Sequence, residues 1–136
     1  MTIIIDSDGL IGSIDPQDIH YLLSSKIHNI FNKKETELIY PATAIAEAVT
    51  FLQGRGNKPE LAYEILKLIQ EDELKIEPVD NYLIQEAVKL MDLKKSKHHT
   101  LFDCIVAATA IKYNADAIFS FDKFYKSKGF KLASEL

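Results

Sequence analysis

Thr2-Ile3-Ile4-Ile5-Asp6-Ser7-Asp8-Gly9 is the stretch whose reading decides the fold of this 136-residue chain. Three successive isoleucines leave no polar face, so a strand made of them must be covered on both sides. That is the condition of a strand inside a parallel sheet with helices above and below it. The run breaks at two aspartates and a glycine, which read as a turn. In open α/β sheets, ligands gather at the carboxyl ends of the strands. Asp6 is therefore the first candidate functional residue.

The pattern repeats outward from this strand. Asp15-Pro16-Gln17-Asp18 reads as a helix start, with apolar residues following at Ile19, Leu22, Leu23, Ile27, Ile30 and Phe31. Leu38-Ile39-Tyr40 is a second short strand stopped by Pro41, and Ala42 to Gln53 is helical in propensity until Gly54-Arg55-Gly56 interrupts it. Leu61, Ile65, Leu66, Leu68 and Ile69 mark another amphipathic helix. A strand over Leu74 to Val79 is followed by a helix capped at Asp80-Asn81. Leu101 to about Tyr113 is apolar on almost every side, which predicts a buried helix. Ala117-Ile118-Phe119 is a further strand, and Phe130-Lys131-Leu132 a short last one. Strands alternating with helices predict an α/β chain, a three-layer α/β/α sandwich around a central parallel sheet, with residues 1–136 forming one domain.

Composition narrows the class. Hydrophobic residues make up 47% of the chain, enough for a core without disulfides. No apolar run approaches the roughly 20 residues that span a bilayer, and no leader is expected at the N-terminus. The single cysteine, Cys104, fits a reducing compartment, so a cytoplasmic location without membrane association is expected. The net charge of −4 argues against a protein that coats nucleic acid, but not against an enzyme that holds metal on carboxylates. All 16 basic residues except Arg55 are lysines. They gather at Lys94, Lys95 and Lys97 and at Lys123, Lys126, Lys128 and Lys131, either as phosphate contacts or as ordinary solvated surface.

Four carboxylates fall where a site would form. Asp6 and Asp122 follow strands, while Glu47 and Asp103 lie on helices among small and apolar neighbours. Thr43, Glu47 and Thr50 share one helix face at spacings of four and three. Buried carboxylates are costly unless paired, hydrogen-bonded or bound to metal, and four converging ones repel. A divalent cation removes the conflict, and all-oxygen ligands favour Mg²⁺ or Mn²⁺. Each residue also has a structural alternative. Asp6 and Asp122 suit turns, Glu47 suits an ion pair, and Thr100-Leu101-Phe102-Asp103 has capping-box spacing.

Taken together, the segments resemble a PIN domain, and in size and order they are similar to toxin ribonucleases of the VapC group. The resemblance rests on Ile3 to Ile11, on Pro41 through Glu47, on the alanine-rich helix Asp103-Cys104-Ile105-Val106-Ala107-Ala108-Thr109-Ala110, and on Ser120-Phe121-Asp122. It implies a metal-dependent ribonuclease whose metal ligands and catalytic residues are Asp6, Glu47, Asp103 and Asp122. Ser120, Lys123 and Lys97 are expected to meet substrate. It further implies an RNA substrate, a homodimer and an antitoxin partner. Asp8 stands where the family often has asparagine, and Phe124 where it is often acidic or polar.

Three other readings share some of these residues. Ile3-Ile4-Ile5-Asp6-Ser7-Asp8-Gly9 also resembles the first motif of haloacid-dehalogenase-type phosphatases. The later acidic pair such enzymes need is missing, since Asp103, Asp116 and Asp122 are separated. A stand-alone RNA-processing nuclease, or a non-catalytic PIN-like module, would use the same fold.

Overall fold

Strand β1 (Thr2–Ile5) lies between two parallel neighbours, β2 (Glu37–Pro41) and β4 (Ala117–Phe119), with Ile3 opposite both Leu38 and Ala117. A fourth strand, β3 (Lys75–Glu77), adds to the outer edge of β2, giving the order β3-β2-β1-β4 with all pairings parallel. The computed structural model describes residues 1–94 and 99–136. Lys95 and Lys97 lie outside the described residues.

The alternation within β1 builds two cores. Ile3 and Ile5 face one layer, where they meet Leu10 of α1 (Ser7–Ile14), Ile27 and Phe31 of α2 (Tyr21–Lys33), Ala48 and Leu52 of α3 (Ala42–Gln53), and Ile65 of α4 (Pro59–Gln70). Ile4 faces the other, against Leu83 and Ala87 of α5 (Asn81–Leu90), Ile105 and Ala108 of α6 (Leu101–Lys112), and Tyr125 of the short α7 (Phe124–Ser127). This is the three-layer α/β/α arrangement expected of a strand apolar on both faces. Helix α6 is buried from Cys104 through Ala110, as its unbroken apolar character predicts.

Three local features differ from the expectation. Asp6 does not open a loop, because α1 starts at the next residue and Asp6 caps it. The second helix begins at Tyr21, five residues after Pro16. The reason lies in Asp15 and Asp18, whose carboxylates accept from the backbone N–H groups of Gln17 and His20 at 2.9 Å each, folding 15–20 into turns. Ile19 and Leu22 are consequently exposed and not part of the core. The strand expected at Phe130-Lys131-Leu132 shrinks to one bridge between Ile118 and Leu132.

Asp15 is buried, and Lys58 reaches its Oδ2 at 2.6 Å, tying the end of α1 to the start of α4. Burial is the largest single influence and would raise the Asp15 carboxyl, but the hydrogen bonds from Lys58 and the Gln17 N–H, together with the Lys58 charge, outweigh it and hold the group below the usual carboxylate range. A lowered folded-state pKa adds stability above the unfolded value near ~3.9 and loses it as pH falls through the folded one. Lys58→Ala should therefore cost about 1–2 kcal/mol at neutral pH, less than a fully buried pair because Lys58 is partly solvated and Gln17 still serves Asp15. Urea melts at pH 7 and pH 3 should show that penalty shrinking in acid. An equal penalty at both would rule out the ion pair as its source.

Candidate active site

The carboxyl ends of β1 and β4 lie side by side, and the acidic residues that follow them meet there. Asp6 is extended, in the conformation a helix N-cap requires, and its Oδ1 accepts from the Ser7 N–H at 2.7 Å. Its own N–H donates to the Phe119 carbonyl at 3.1 Å, which fixes the start of α1 against the end of β4. Asp6 Oδ2 points into the protein, where the hydroxyls of Tyr125 and Ser120 lie at 2.7 Å and 3.1 Å.

Ser120 joins the two strand ends. Its hydroxyl lies 3.1 Å from Asp8 Oδ2 as well as from Asp6 Oδ2, and it accepts from the Asp122 N–H at 3.1 Å. Asp8 Oδ2 also accepts from the Phe121 N–H at 2.9 Å. Asp122 stands on the same exit loop, exposed, with Oδ1 accepting from the Phe124 N–H. Asp103 enters from the N-terminus of α6. It forms the capping box its spacing announced, with Oδ2 accepting from the Thr100 N–H at 3.1 Å. The structural reading of Asp103 holds, and it does not exclude a functional one.

Three of these aspartates, Asp6, Asp8 and Asp103, are pushed above the usual carboxylate range. Burial, and then the charge of Asp8, push the Asp6 carboxyl up to about 7, against the hydrogen bonds from Tyr125 and Ser7; Asp103 adds a smaller push. Burial raises Asp8, with Asp122 contributing. Burial likewise raises Asp103, again with Asp122 contributing. Burial and the Asp6 charge drive Tyr125 far above the usual phenol range, so it remains a hydrogen-bond donor.

Glu47 lies on α3, half-buried, and its carboxylate has no hydrogen-bond or ion-pair partner among the described residues. It lines a cavity of about 470 Å³ with Thr50, Phe51, Arg55 and Phe102, the last adjacent to Asp103. Thr43, on the same helix face, has a buried hydroxyl oxygen without a partner among the described residues. Ser120, expected to meet substrate, is 1% exposed and engaged with the carboxylates. Lys123 is exposed at the start of α7, and Lys94 is exposed as well.

A divalent cation fits this donor set. Asp8 Oδ1 is buried without a hydrogen-bond partner among the described residues, and Asp6 carries a charge that its surroundings oppose. Both are conditions that a cation relieves. As placed, no three His, Cys, Asp or Glu side chains among the described residues stand close enough to enclose an ion. Mg²⁺ commonly takes one or two carboxylates and completes its shell with water and phosphate.

Two participants were not anticipated. Asp8, which stands where the family often has asparagine, shares Ser120 with Asp6. The available signal was its place in the first turn of α1, two residues after the cap. Tyr125 had no signal, since nothing in Phe124-Tyr125-Lys126 announces that one ring turns inward to Asp6.

A family model described as PIN domain matches residues 3–131. A search of curated proteins gives no significant match. Among solved structures, the chain is similar to VapC20 of Mycobacterium tuberculosis, described as a sarcin-ricin loop cleaving toxin. That match has a TM-score of 0.79 at 14% identity and covers 94% of this chain and 95% of that one. It is also similar to FitAcB from Neisseria gonorrhoeae (TM-score 0.66, 17% identity, 96% and 95% covered). A third is VapBC2 from Rickettsia felis, bound to a DNA fragment from its promoter (TM-score 0.63, 16% identity, 97% of each chain covered). At these identities the likeness is one of fold. No helix among the described residues is long and apolar enough to cross a membrane.

Proposed function

Because this chain belongs to the PIN-domain family, a family of nucleases, we propose that it is a metal-dependent endoribonuclease and the toxin of a toxin–antitoxin pair. The observation that carries the reading is the buried Asp6–Ser120–Asp8 arrangement at adjoining strand ends, with Asp103 and Asp122 adding to the same negative field. Family membership favours this over a phosphatase using the same opening motif.

In this reading Asp6, Glu47, Asp103 and Asp122 hold Mg²⁺ or Mn²⁺, and Asp8 joins them through its partnerless oxygen. The ion supplies an activated water and charge neutralisation at the phosphodiester. Ser120 keeps Asp6 and Asp8 oriented, and Asp103 is held at the helix start by Thr100. RNA is the proposed substrate, and a homodimer with a cytoplasmic antitoxin partner the proposed assembly. The solved VapBC2 complex, a pair bound to promoter DNA, supports looking for such a partner.

Purified protein with Mn²⁺ should cut members of a broad RNA panel and stop on chelation. A protein that cuts none of them, and binds Mn²⁺ no better than Asp6→Asn, is instead a non-catalytic module. Lys123, exposed beside Asp122, is proposed to meet a phosphate. Lys123→Ala should weaken RNA binding and flatten the slope of log affinity against log salt by about 0.7, the value for one single-strand phosphate contact. An unchanged slope would make Lys123 ordinary surface.

A further inference from the structure

Tyr125 is fully buried on α7, and its ring packs edge-on against Phe124 with centroids 5.2 Å apart. A phenylalanine would fill the same space, so the hydroxyl is the part of the side chain that packing does not require. That hydroxyl donates to Asp6 Oδ2 at 2.7 Å. Ser120 Oγ reaches the same oxygen at 3.1 Å, while Asp6 Oδ1 accepts from the Ser7 N–H at 2.7 Å.

A carboxylate has about four acceptor positions, two on each oxygen. Tyr125 takes one on Oδ2, Ser120 crowds the other with the single proton it shares with Asp8 Oδ2, and Ser7 takes one on Oδ1. One position remains, on Oδ1. Asp8 presents a buried Oδ1 with no hydrogen-bond partner among the described residues. We propose that Tyr125 is a positioning residue for divalent-cation binding, its hydroxyl locking the Asp6 carboxylate so that an ion is directed to Oδ1. This rests on the metal-dependent reading above. Groups that orient metal ligands from behind change affinity by 10–100-fold when removed.

The test is Mn²⁺ titration by calorimetry, without RNA, on the wild type and on Tyr125→Phe. Melting temperatures in chelator are recorded alongside. Tyr113→Phe is the control, because it removes the other tyrosine hydroxyl bonded to a buried carboxylate, Glu77, through an equivalent change. Tyr125→Phe should weaken Mn²⁺ binding by about 10–100-fold, and Tyr113→Phe should bind as the wild type does. Ser120→Ala, which removes the second donor to Oδ2, should weaken binding in the same direction.

Wild-type affinity in Tyr125→Phe would overturn the assignment. So would equal weakening in Tyr125→Phe and Tyr113→Phe accompanied by matching losses of melting temperature, since the effect would then be general loosening. A wild-type protein that binds no Mn²⁺ would overturn the metal-dependent reading and this inference together. Wild-type binding with an unaffected Tyr125→Phe overturns the inference alone.

Discussion

Asp6→Asn should abolish Mn²⁺-dependent cleavage, lowering it at least ~100-fold through loss of charge stabilisation of the kind a metal supplies, and yet stabilise the metal-free protein. Asparagine keeps the shape of the side chain and remains a good N-cap, so the Ser7 N–H keeps its acceptor. Its amide can face the Tyr125 and Ser120 hydroxyls, which accept as well as donate. What disappears is a negative charge that burial and Asp8 oppose. The Asp6 pKa rises from 3.8 to about 7 in the folded chain. A raised folded-state value means the folded state binds the proton more tightly than the unfolded one. Stability from this group is therefore greatest below the unfolded value and declines as pH climbs from about 4 to about 7.

At about 1.4 kcal/mol per pKa unit, the penalty at pH 8 is bounded near 4 kcal/mol, and relaxation around Asp8 reduces it to about 1–3 kcal/mol. In chelator at pH 8, Asp6→Asn should melt several degrees above the wild type. At pH 4 the two should converge. Adding Mn²⁺ should raise the wild-type melting temperature much more than that of the variant, because ligand binding stabilises only the form that binds it. An asparagine variant less stable than the wild type at pH 8 would show that the Asp6 charge is not under strain.

How far this site was legible depends on how local each signal was. Ile3-Ile4-Ile5 disclosed its two covered faces because side-chain alternation is a property of the strand itself. Thr100 and Asp103 disclosed their capping box for the same reason, being three residues apart. Glu47 stood out as a charge among small and apolar residues, and the structure leaves it half-buried with no hydrogen-bond or ion-pair partner among the described residues. The Asp8–Ser120 and Asp6–Tyr125 contacts join positions 112 and 119 residues apart. They exist only because β4 docks beside β1, and no spacing rule reports that. The late start of α2 has a different cause. Asp15-Pro16 carries a valid helix-start signal, but the side chains that cap helices also close turns: Asp15 and Asp18 accept from the Gln17 and His20 N–H groups and fold 15–20 into turns ahead of α2. Two local preferences compete here, and the turn wins.

The glycine in Asp6-Ser7-Asp8-Gly9 tests whether that docking builds the site. In an ordinary exposed helix, Gly→Ala gains about 1 kcal/mol. At Gly9 it should instead cost more than about 3 kcal/mol, the scale of severe overpacking. A Cβ there would sit 2.2 Å from the Phe119 carbonyl oxygen, 3.0 Å from its carbon and 3.2 Å from the Phe119 ring. None of these can step aside cheaply. The carbonyl accepts the Asp6 N–H at 3.1 Å, and the ring packs edge-on between Phe31 and Phe121. The clash is relieved only if α1 moves off β4, which draws Asp6 and Asp8 away from Ser120. Gly9→Ala should therefore lose Mn²⁺ affinity as well as stability.

Gly12, one turn further on, provides the contrast. A Cβ there meets the Ser24 hydroxyl at 2.8 Å and the edge of the Phe121 ring at 3.2 Å. The Ser24 hydroxyl has no hydrogen-bond partner among the described residues, so no bond is lost if it turns away. After the helix gain is counted, Gly12→Ala should cost about 1 kcal/mol or less. Urea unfolding of both variants decides the matter. Comparable stabilities, or a Gly12 variant worse than the Gly9 one, would mean that backbone approach at Phe119 does not hold the two strand ends in register.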